Sequence, residues 1–226
     1  MPNVRLSKRL QAVANFVAPN SFLADIGSDH AHLPIYLVSK GIIDYAQAVE
    51  NKVGPFIRMK SNIDAYGLSS KIFASKSDGI SDLMGEVDTL CLCGLGGILT
   101  TDILYSHKEK LDNVKTIIVD PHRDLKLVRE KIVELGFKIS EEKMVYEDKI
   151  FYSIVRFSRG KPSKPYTQKE LLLGPKLLKE RDPIFLEWVE IQRKKVSTLL
   201  NKGLSKEKRE QALSLYRILA STLKGS

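Results

Sequence analysis

The chain has 226 residues, of which 43% are hydrophobic, and a formal net charge of +9. This composition is typical of a folded protein of one or two domains, and the lack of any apolar run near roughly 18 residues argues against a membrane span. Residues 159–226 carry 16 Lys and Arg against 7 Asp and Glu, whereas residues 1–158 carry 20 of each. The excess positive charge therefore lies in the C-terminal segment. It suggests a polyanionic partner such as a nucleic acid, with a solvated helical face as the alternative.

Residues 4–17 predict an amphipathic helix, because apolar side chains recur there at helical spacing. Its basic residues could contact phosphate or simply face water; they are Arg5, Lys8 and Arg9. The N-terminus has no apolar signal-peptide core, so we expect a cytoplasmic protein.

Residues 22–31 predict a short strand, a tight turn at Gly27 and a helix that starts near His30. Such a turn at the carboxyl edge of a parallel sheet binds nucleotides, and glycine lets a ligand approach the backbone. Two of the three glycines of the dinucleotide fingerprint are missing. The carboxylates of Asp25 and Asp29 flank Gly27 and disfavour a pyrophosphate. They favour a cationic cofactor with an amino group, such as S-adenosylmethionine.

A second strand is predicted over Asp44–Glu50, followed by a helix over Gly54–Tyr66. Glu50 falls 23 residues after Gly27, close to the roughly 20 expected for a carboxylate that binds the ribose hydroxyls. Asn51 could assist it.

A third strand over Lys71–Ser75 leads to Ser77-Asp78-Gly79. Asp78 could accept a hydrogen bond from an adenine amino group next to Gly79, and a simple turn or helix cap is the alternative.

The most apolar strand is predicted over Val87–Cys93 and is followed by three glycines between Gly94 and Gly97. We expect a ligand to approach the backbone there, with Cys93 and Gly94 at the cofactor and Gly96 on the substrate side. A tight strand-to-helix turn is the alternative. The two cysteines are two residues apart and are expected to stay reduced and buried.

The last part of the sheet is predicted from a strand over Val114–Val119, then Asp120-Pro121-His122, then a helix over Arg123–Leu135. Two strands over Phe137–Tyr146 and Ile150–Phe157 form an antiparallel hairpin. Five βα units and this hairpin predict an α/β fold with the seven-stranded sheet of the Rossmann-like methyltransferases rather than that of dehydrogenases.

Beyond a basic, proline-containing linker, a short helix is interrupted at Gly174-Pro175. Two long helices over Pro183–Leu200 and Lys206–Leu223 predict an α-helical hairpin or a short antiparallel coiled coil. We therefore predict a cofactor-binding domain at 1–158 and a basic helical RNA-binding module at 159–226.

With these segments in view, the chain resembles the bacterial tRNA adenine-22 N1-methyltransferases over essentially its full length. The matching segments are Leu23 to Pro34, Val49-Glu50 with Gly54-Pro55, Ser77 to Gly79, and Gly94 to Gly97. The resemblance implies a class I methyltransferase fold, S-adenosylmethionine as donor, and N1 of one adenine in the D-arm region of tRNA as acceptor. The chain departs from the family after the fifth strand, where the expected Gln-Pro-Asn is Asp120-Pro121-His122.

Asp29 is predicted to be catalytic, because it could accept a hydrogen bond from the N6 amine and stabilise the charge growing on the base. Binding the cofactor's amino group or capping the helix are its alternative roles. The predicted cofactor contacts are Asp25, Gly27, Asp29, His30, Glu50, Asn51, Asp78, Gly79, Cys93 and Gly94. The predicted tRNA contacts are Arg5, Lys8, Arg9, Gly96, Pro121 and His122.

His30 and His32 are two residues apart at a helix start and would not share a face, and we expect no metal because no further Cys/His cluster accompanies them. We also expect a monomer. Three other functions fit the residues alone: an NAD-dependent oxidoreductase, a non-catalytic RNA-binding module, and methylation of a small molecule or of ribosomal RNA. The missing glycines and the final hairpin argue against the oxidoreductase.

Overall fold

The computed structural model describes residues 4–224, which form two compact units, one ending at Pro165 and one beginning at Tyr166. The division lies seven residues after the predicted boundary at 158/159. The last strand of the first unit continues to Arg159, and the linker after it is counted with that unit.

The first unit is a seven-stranded sheet with helices. Its strands are β1 (Leu23–Ile26), β2 (Ala46–Glu50), β3 (Ile72–Lys76), β4 (Thr89–Cys93), β5 (Thr116–Asp120), β6 (Phe137–Glu147) and β7 (Ile150–Arg159). Its helices are α1 (Lys8–Phe16), α2 (His32–Ser39), α3 (Val53–Ala65), α4 (Gly97–Ser106) and α5 (Leu125–Glu134), with a 3-10 turn at Lys108–Leu111. The strand order is β3-β2-β1-β4-β5-β7-β6, in which β1 to β5 are parallel and β7 pairs antiparallel with β5 and β6. The predicted fold class is confirmed.

One predicted βα unit is wrong: within residues 4–224, β3 is followed by turns and not by a helix. The Ser81 N–H donates to the Asp78 carbonyl, and Gly79 has a left-handed φ of +58°. The buried side chain of Gln47 on β2 holds the segment in place. Its amide nitrogen donates to the Asp82 carbonyl at 2.9 Å, and its amide oxygen accepts the N–H of Met84 at 3.0 Å. Hydrogen bonds between the buried Gln47 amide and the turn backbone take the place of those that a helix would have formed.

The first helix begins at Lys8, later than predicted, because Ser7 caps it. The Ser7 hydroxyl accepts the N–H of Leu10 at 3.2 Å. Glu147 at the end of β6 also accepts the N–H groups of Lys8 and Arg9, at 2.7 and 3.1 Å. A carboxylate at a helix N-terminus satisfies free donors and complements the helix dipole, so α1 is fixed to the end of the hairpin.

The second helix begins at His32 rather than near His30, because Ala31 has a left-handed φ of 52°. Residues two apart in a helix point in different directions, but His30 precedes this turn. The rings of His30 and His32 therefore stack, with centroids 5.3 Å apart and planes at 11°. The expectation that these two side chains would not share a face is wrong.

A buried ion pair joins α5 to β6. The Arg129 guanidinium contacts one Glu142 carboxylate oxygen through Nε at 2.9 Å and through Nη2 at 2.7 Å, and both side chains are fully buried. Burial lowers the pKa of Arg129, and the charge of Glu142 opposes that shift. Because both charges are removed from water, the attraction of each is needed to offset the cost of burying the other.

The second unit contains α6 (Gln168–Leu173), α7 (Pro175–Glu180), α8 (Pro183–Leu200) and α9 (Lys206–Lys224). The long helices form the predicted helical hairpin, in which Arg193 donates to the Tyr216 hydroxyl at 3.1 Å. Its buried side chains include Phe185, Val189, Val196, Ala212 and Leu219. Trp188 stacks on Phe185 with centroids 6.4 Å apart. None of the helices between Val4 and Lys224 has both the length and the apolar character needed to cross a bilayer.

Candidate functional site

The carboxyl ends of β1, β2 and β3 and the first turns of α4 enclose a cleft of about 360 Å³. It is lined by six residues predicted for the cofactor: Gly27, Asp29, Glu50, Asn51, Asp78 and Gly79. The parallel sheet brings these residues together although they come from three separate loops.

One wall of this cleft is polar. Glu50 is buried at the end of β2, where Oε1 accepts the N–H of Lys52 at 3.0 Å. Asn51 donates to Asp78 Oδ1 at 3.3 Å, which links the loops after β2 and β3. The wall therefore offers carboxylate oxygens to hydroxyl or amino groups of a ligand.

Part of the lining is apolar and was not predicted. This apolar wall includes Leu95, Leu99 and Ile103, in and before α4. A Cβ on Gly79 would lie 2.8 Å from the Ile103 side chain, and one on Gly27 would lie 3.2 Å from Leu95. Both glycines have positive φ, so the turns need glycine for backbone geometry and for packing against this wall.

A second, smaller cleft of about 160 Å³ also includes Gly27 and Asp29. It is further lined by Arg9, Leu10, Asp25, Ser28, His30, Ala31, His32, Leu33 and Cys93. Three of the predicted cofactor residues, Asp25, His30 and Cys93, therefore lie at this cleft and not at the larger one. The two clefts share the glycine turn.

Asp25 is a buried carboxylate below the turn, with 8% of its surface exposed. The Ser28 hydroxyl donates to its Oδ2 at 2.5 Å. Burial raises the pKa of Asp25 from 3.8 to about 6, although the bond from Ser28 and the charge of Arg9 act in the opposite direction. Near neutral pH the site therefore holds a desolvated negative charge.

Because the pKa of Asp25 is raised in the folded protein, we expect the free energy of unfolding to depend on pH. Native Asp25 binds its proton more tightly than the unfolded chain does, so its ionisation destabilises the fold as the pH rises from about 4 through about 6. A shift of this size corresponds to roughly 3 kcal/mol. We expect Asp25→Asn to be more stable than the wild type at pH 7.5 but not at pH 4.5, as measured by urea unfolding. The exposed Asp44→Asn variant is the control, and an equal difference at both pH values would contradict the prediction.

Asp29 lies between the two clefts and has about half of its side chain exposed. Arg58 on α3 donates to Oδ1 at 2.9 Å, and His30 Nε2 lies 3.4 Å from Oδ2. Asn62, one helical turn further along α3, donates to the His30 carbonyl at 2.6 Å. Two side chains of α3 therefore hold the turn at Asp29 and His30 by hydrogen bonds. The sequence places Arg58 and Asn62 on one face of a helix, but it does not show which loop that face meets.

Arg9 points inward rather than into solvent. Its Nη1 donates to Asp120 Oδ2 at 2.7 Å, and its guanidinium lies 5.3 Å from the Tyr152 ring centre. Burial raises the pKa of Asp120, which is 1% exposed, although Arg9 opposes the shift. Arg9 was predicted to contact tRNA phosphate or to face water, and this is corrected, because its charge is paired with Asp120 at the end of β5. The side chains of Arg5 and Lys8 are exposed.

The ends of β4 and β5 are joined by backbone hydrogen bonds. The Gly94 N–H donates to the Asp120 carbonyl, and the His122 N–H donates to the Leu95 carbonyl, both at 3.1 Å. A Cβ on Gly94 would lie 3.5 Å from Arg9 and 3.8 Å from His122. Gly94 and His122 are thus close together, with His122 exposed and Pro121 buried.

The three glycines after β4 differ in backbone conformation and in what surrounds them. Gly94 has a φ of +74°, whereas Gly96 has open space around it. A Cβ on Gly97 would lie 2.5 Å from the Arg123 carbonyl oxygen. The interpretation that all three mark the approach of a ligand is therefore wrong, since Gly97 is explained by packing against the start of α5.

The Cys93 side chain is not activated. Its hydrogen bond with Cys91, together with burial and nearby carboxylates, raises the pKa of the thiol well above its usual value. In the part of the chain from residue 4 to 224, no group of three or more His, Cys, Asp or Glu side chains is placed to hold a metal ion.

Comparison with known proteins places the chain among methyltransferases. Residues 6–155 match the family described as "Methyltransferase domain". A tRNA (adenine(22)-N(1))-methyltransferase of Bacillus subtilis is 34% identical over 196 residues, which cover 84% of this chain and 82% of that protein. The chain belongs to the tRNA (adenine(22)-N(1))-methyltransferase family.

Solved structures agree with this assignment to the tRNA (adenine(22)-N(1))-methyltransferase family. A putative tRNA (m1A22) methyltransferase of Streptococcus pneumoniae, in complex with S-adenosyl-L-methionine, has a TM-score of 0.90 and 31% identity, covering 97% of this chain and all of that chain. A protein of the NADB-Rossmann superfamily from Streptococcus agalactiae has a TM-score of 0.92 and 34% identity, covering 98% of both chains. The resemblance stated from the motifs is confirmed, and the family is not one of NAD-dependent oxidoreductases.

Proposed function

We propose that this protein transfers the methyl group of S-adenosylmethionine to N1 of adenine 22 in tRNA. The observation that carries the proposal is the larger cleft. Six residues predicted for the cofactor meet there in one place, in a chain that is 34% identical to a methyltransferase of this specificity.

The residues present fit the donor. Glu50 would bind the ribose hydroxyls and Asp78 the adenine amino group, and the apolar surface of Leu95, Leu99 and Ile103 in the same cleft would take the adenine ring. Asp25 lies below the glycine turn, at the cleft that would take the amino acid end. When bound, the cofactor supplies an electrophilic methyl group on a sulfonium.

The chain's own contribution to catalysis is alignment and charge. Adenine N1 carries a lone pair in the ring plane, so no residue has to remove a proton before attack. The target base must be swung out of its stack and held with the reacting atoms about 3–3.5 Å apart. Asp29 would accept a hydrogen bond from the N6 amine and stabilise the positive charge that develops on the base. Arg58 fixes the orientation of this carboxylate.

The tRNA backbone is proposed to bind to basic residues outside the clefts. These include the exposed Arg5 and Lys8 near α1 and the basic C-terminal segment, with His122 and Gly96 at the edge of the site. Such contacts make affinity fall with salt. The monomeric state and the cytoplasmic location stay predictions.

The test is methyl transfer from labelled S-adenosylmethionine to an unmodified tRNA transcript, with the position read by reverse-transcription arrest. An N1 methyl blocks base pairing, so we expect arrest at adenine 22 with the full-length protein and none on a transcript with guanine at that position. Incorporation without arrest would assign the methyl to another atom. Tight cofactor binding with no incorporation into any tRNA would refute the proposed substrate.

A further inference from the structure

The β6–β7 hairpin extends past the end of β5. The last pair between β5 and β7 is Val119 with Val155, whereas β7 continues back to Ile150, paired with Glu147. At roughly 3.4 Å per residue, the end of the hairpin lies about 15–17 Å beyond that pair. Because β7 is antiparallel to β5, this direction is the carboxyl edge of the sheet, where both clefts lie. We call residues 146–151 the hairpin tip.

The hairpin tip presents aromatic surface to solvent. Tyr146 and Phe151 are directly opposite each other, with ring centroids 4.5 Å apart. Tyr146 is 42% exposed and Ile150 is 50% exposed. Asp148 and Lys149 both have left-handed φ angles, which makes the two-residue turn tight and the tip well defined.

The hairpin tip is also continuous with the proposed site and close to positive charge. Glu147 binds the first N–H groups of α1, so its negative charge is already satisfied and the exposed Lys8 is held nearby. Lys149 is exposed in the turn itself. Below the tip, the Tyr152 ring lies 6.3 Å from His122 and 5.3 Å from the Arg9 guanidinium at the smaller cleft.

We propose that Tyr146 and Phe151 form a stacking platform for an unpaired nucleobase of the tRNA next to the target adenine. This inference rests on the proposed function. Every base has a π face that can stack on an exposed aromatic ring. Swinging out the target adenine leaves the bases next to it without one stacking neighbour. Lys8 and Lys149 would hold the adjoining phosphates.

The experiment measures direct binding of a fluorescently labelled, unmodified tRNA transcript to the full-length protein by anisotropy. Tyr146→Leu keeps apolar bulk but removes the π face, whereas Tyr146→Phe keeps the ring. We expect Tyr146→Leu to raise Kd for tRNA roughly fivefold or more, the lower end of what one stacked base contributes. Tyr146→Phe should stay within twofold of the wild type. The Kd for S-adenosylhomocysteine should not change in either variant.

The matched control is Tyr45→Leu. Tyr45 is 47% exposed and contacts the rings of Phe22 and Phe73, but it lies before β2, at the opposite end of the strands. Equal tRNA affinities of Tyr146→Leu and Tyr45→Leu would overturn the platform, as would a wild type that does not bind tRNA. Because binding is measured without turnover, a wild type that binds tRNA but does not methylate it would refute the proposed function and leave the comparison of variants valid. The melting temperature of each variant distinguishes the loss of a contact with tRNA from unfolding of the hairpin.

Discussion

Replacement of Glu142 by alanine is expected to lower the free energy of unfolding by about 3–5 kcal/mol. The substitution leaves the Arg129 guanidinium, which is fully buried, without the carboxylate that it contacts at 2.7 and 2.9 Å. Removing one partner of a buried ion pair costs far more than the intact pair contributes. Urea unfolding at neutral pH measures the change directly.

The adjacent residue provides the control. Glu141 also pairs with an arginine, Arg156, but about half of its side chain is exposed. We therefore expect Glu141→Ala to cost less than about 1 kcal/mol. The double replacement Arg129→Met with Glu142→Leu removes both charges and should recover most of the lost stability. Equal losses for the two single alanine variants would show that burial of the pair is not what matters.

Asp29→Asn is expected to lower kcat for tRNA methylation by roughly 10²-fold, which is typical for the loss of one group that stabilises charge in the transition state. The amide keeps the size of the side chain but removes its negative charge. The Kd for S-adenosylmethionine should change less than tenfold. Single-turnover kinetics with saturating tRNA, together with calorimetric titration of the cofactor, separate the two effects.

The control for this variant is Asp64→Asn, an exposed acidic residue on α3 outside both clefts. Its kcat should match that of the wild type. If Asp29→Asn instead weakened cofactor binding as much as it slowed turnover, Asp29 would be a ligand of the cofactor's amino group, the alternative that the sequence left open.

The strands and the acidic turns were predictable because the signals are local. An apolar run that ends in Gly27, Glu50 or Cys93 marks both a strand and the edge at which it ends. Parallel pairing then brings those ends together without further information. The predicted cofactor residues at the larger cleft follow from this geometry alone.

The partners of these residues were not predictable, because they come from distant parts of the chain. Arg58 reaches Asp29 across 29 positions and Arg9 reaches Asp120 across 111. Helical periodicity shows that α1 has a basic face, but it does not show that Arg9 turns inward. The apolar wall formed by Leu95, Leu99 and Ile103 was missed for the same reason: the sequence does not show which loops these side chains face.

The attachment of α1 has a consequence for how the protein is made. Helix α1 is translated before the strands of the sheet, yet the N–H of Lys8 is bound by Glu147, 139 positions later, and the Arg9 side chain is bound by Asp120. Ser7 can cap α1 at once, but Arg9 lacks its ion pair until Asp120 has been synthesised, and the N–H groups of Lys8 and Arg9 lack their acceptor until Glu147 has been synthesised. Long-range contacts of this kind are formed late in folding. Helix α1 is therefore translated before the sheet but is held at its N-terminus by Glu147 only after β6 has been synthesised, and the smaller cleft, which includes Arg9, is completed only then.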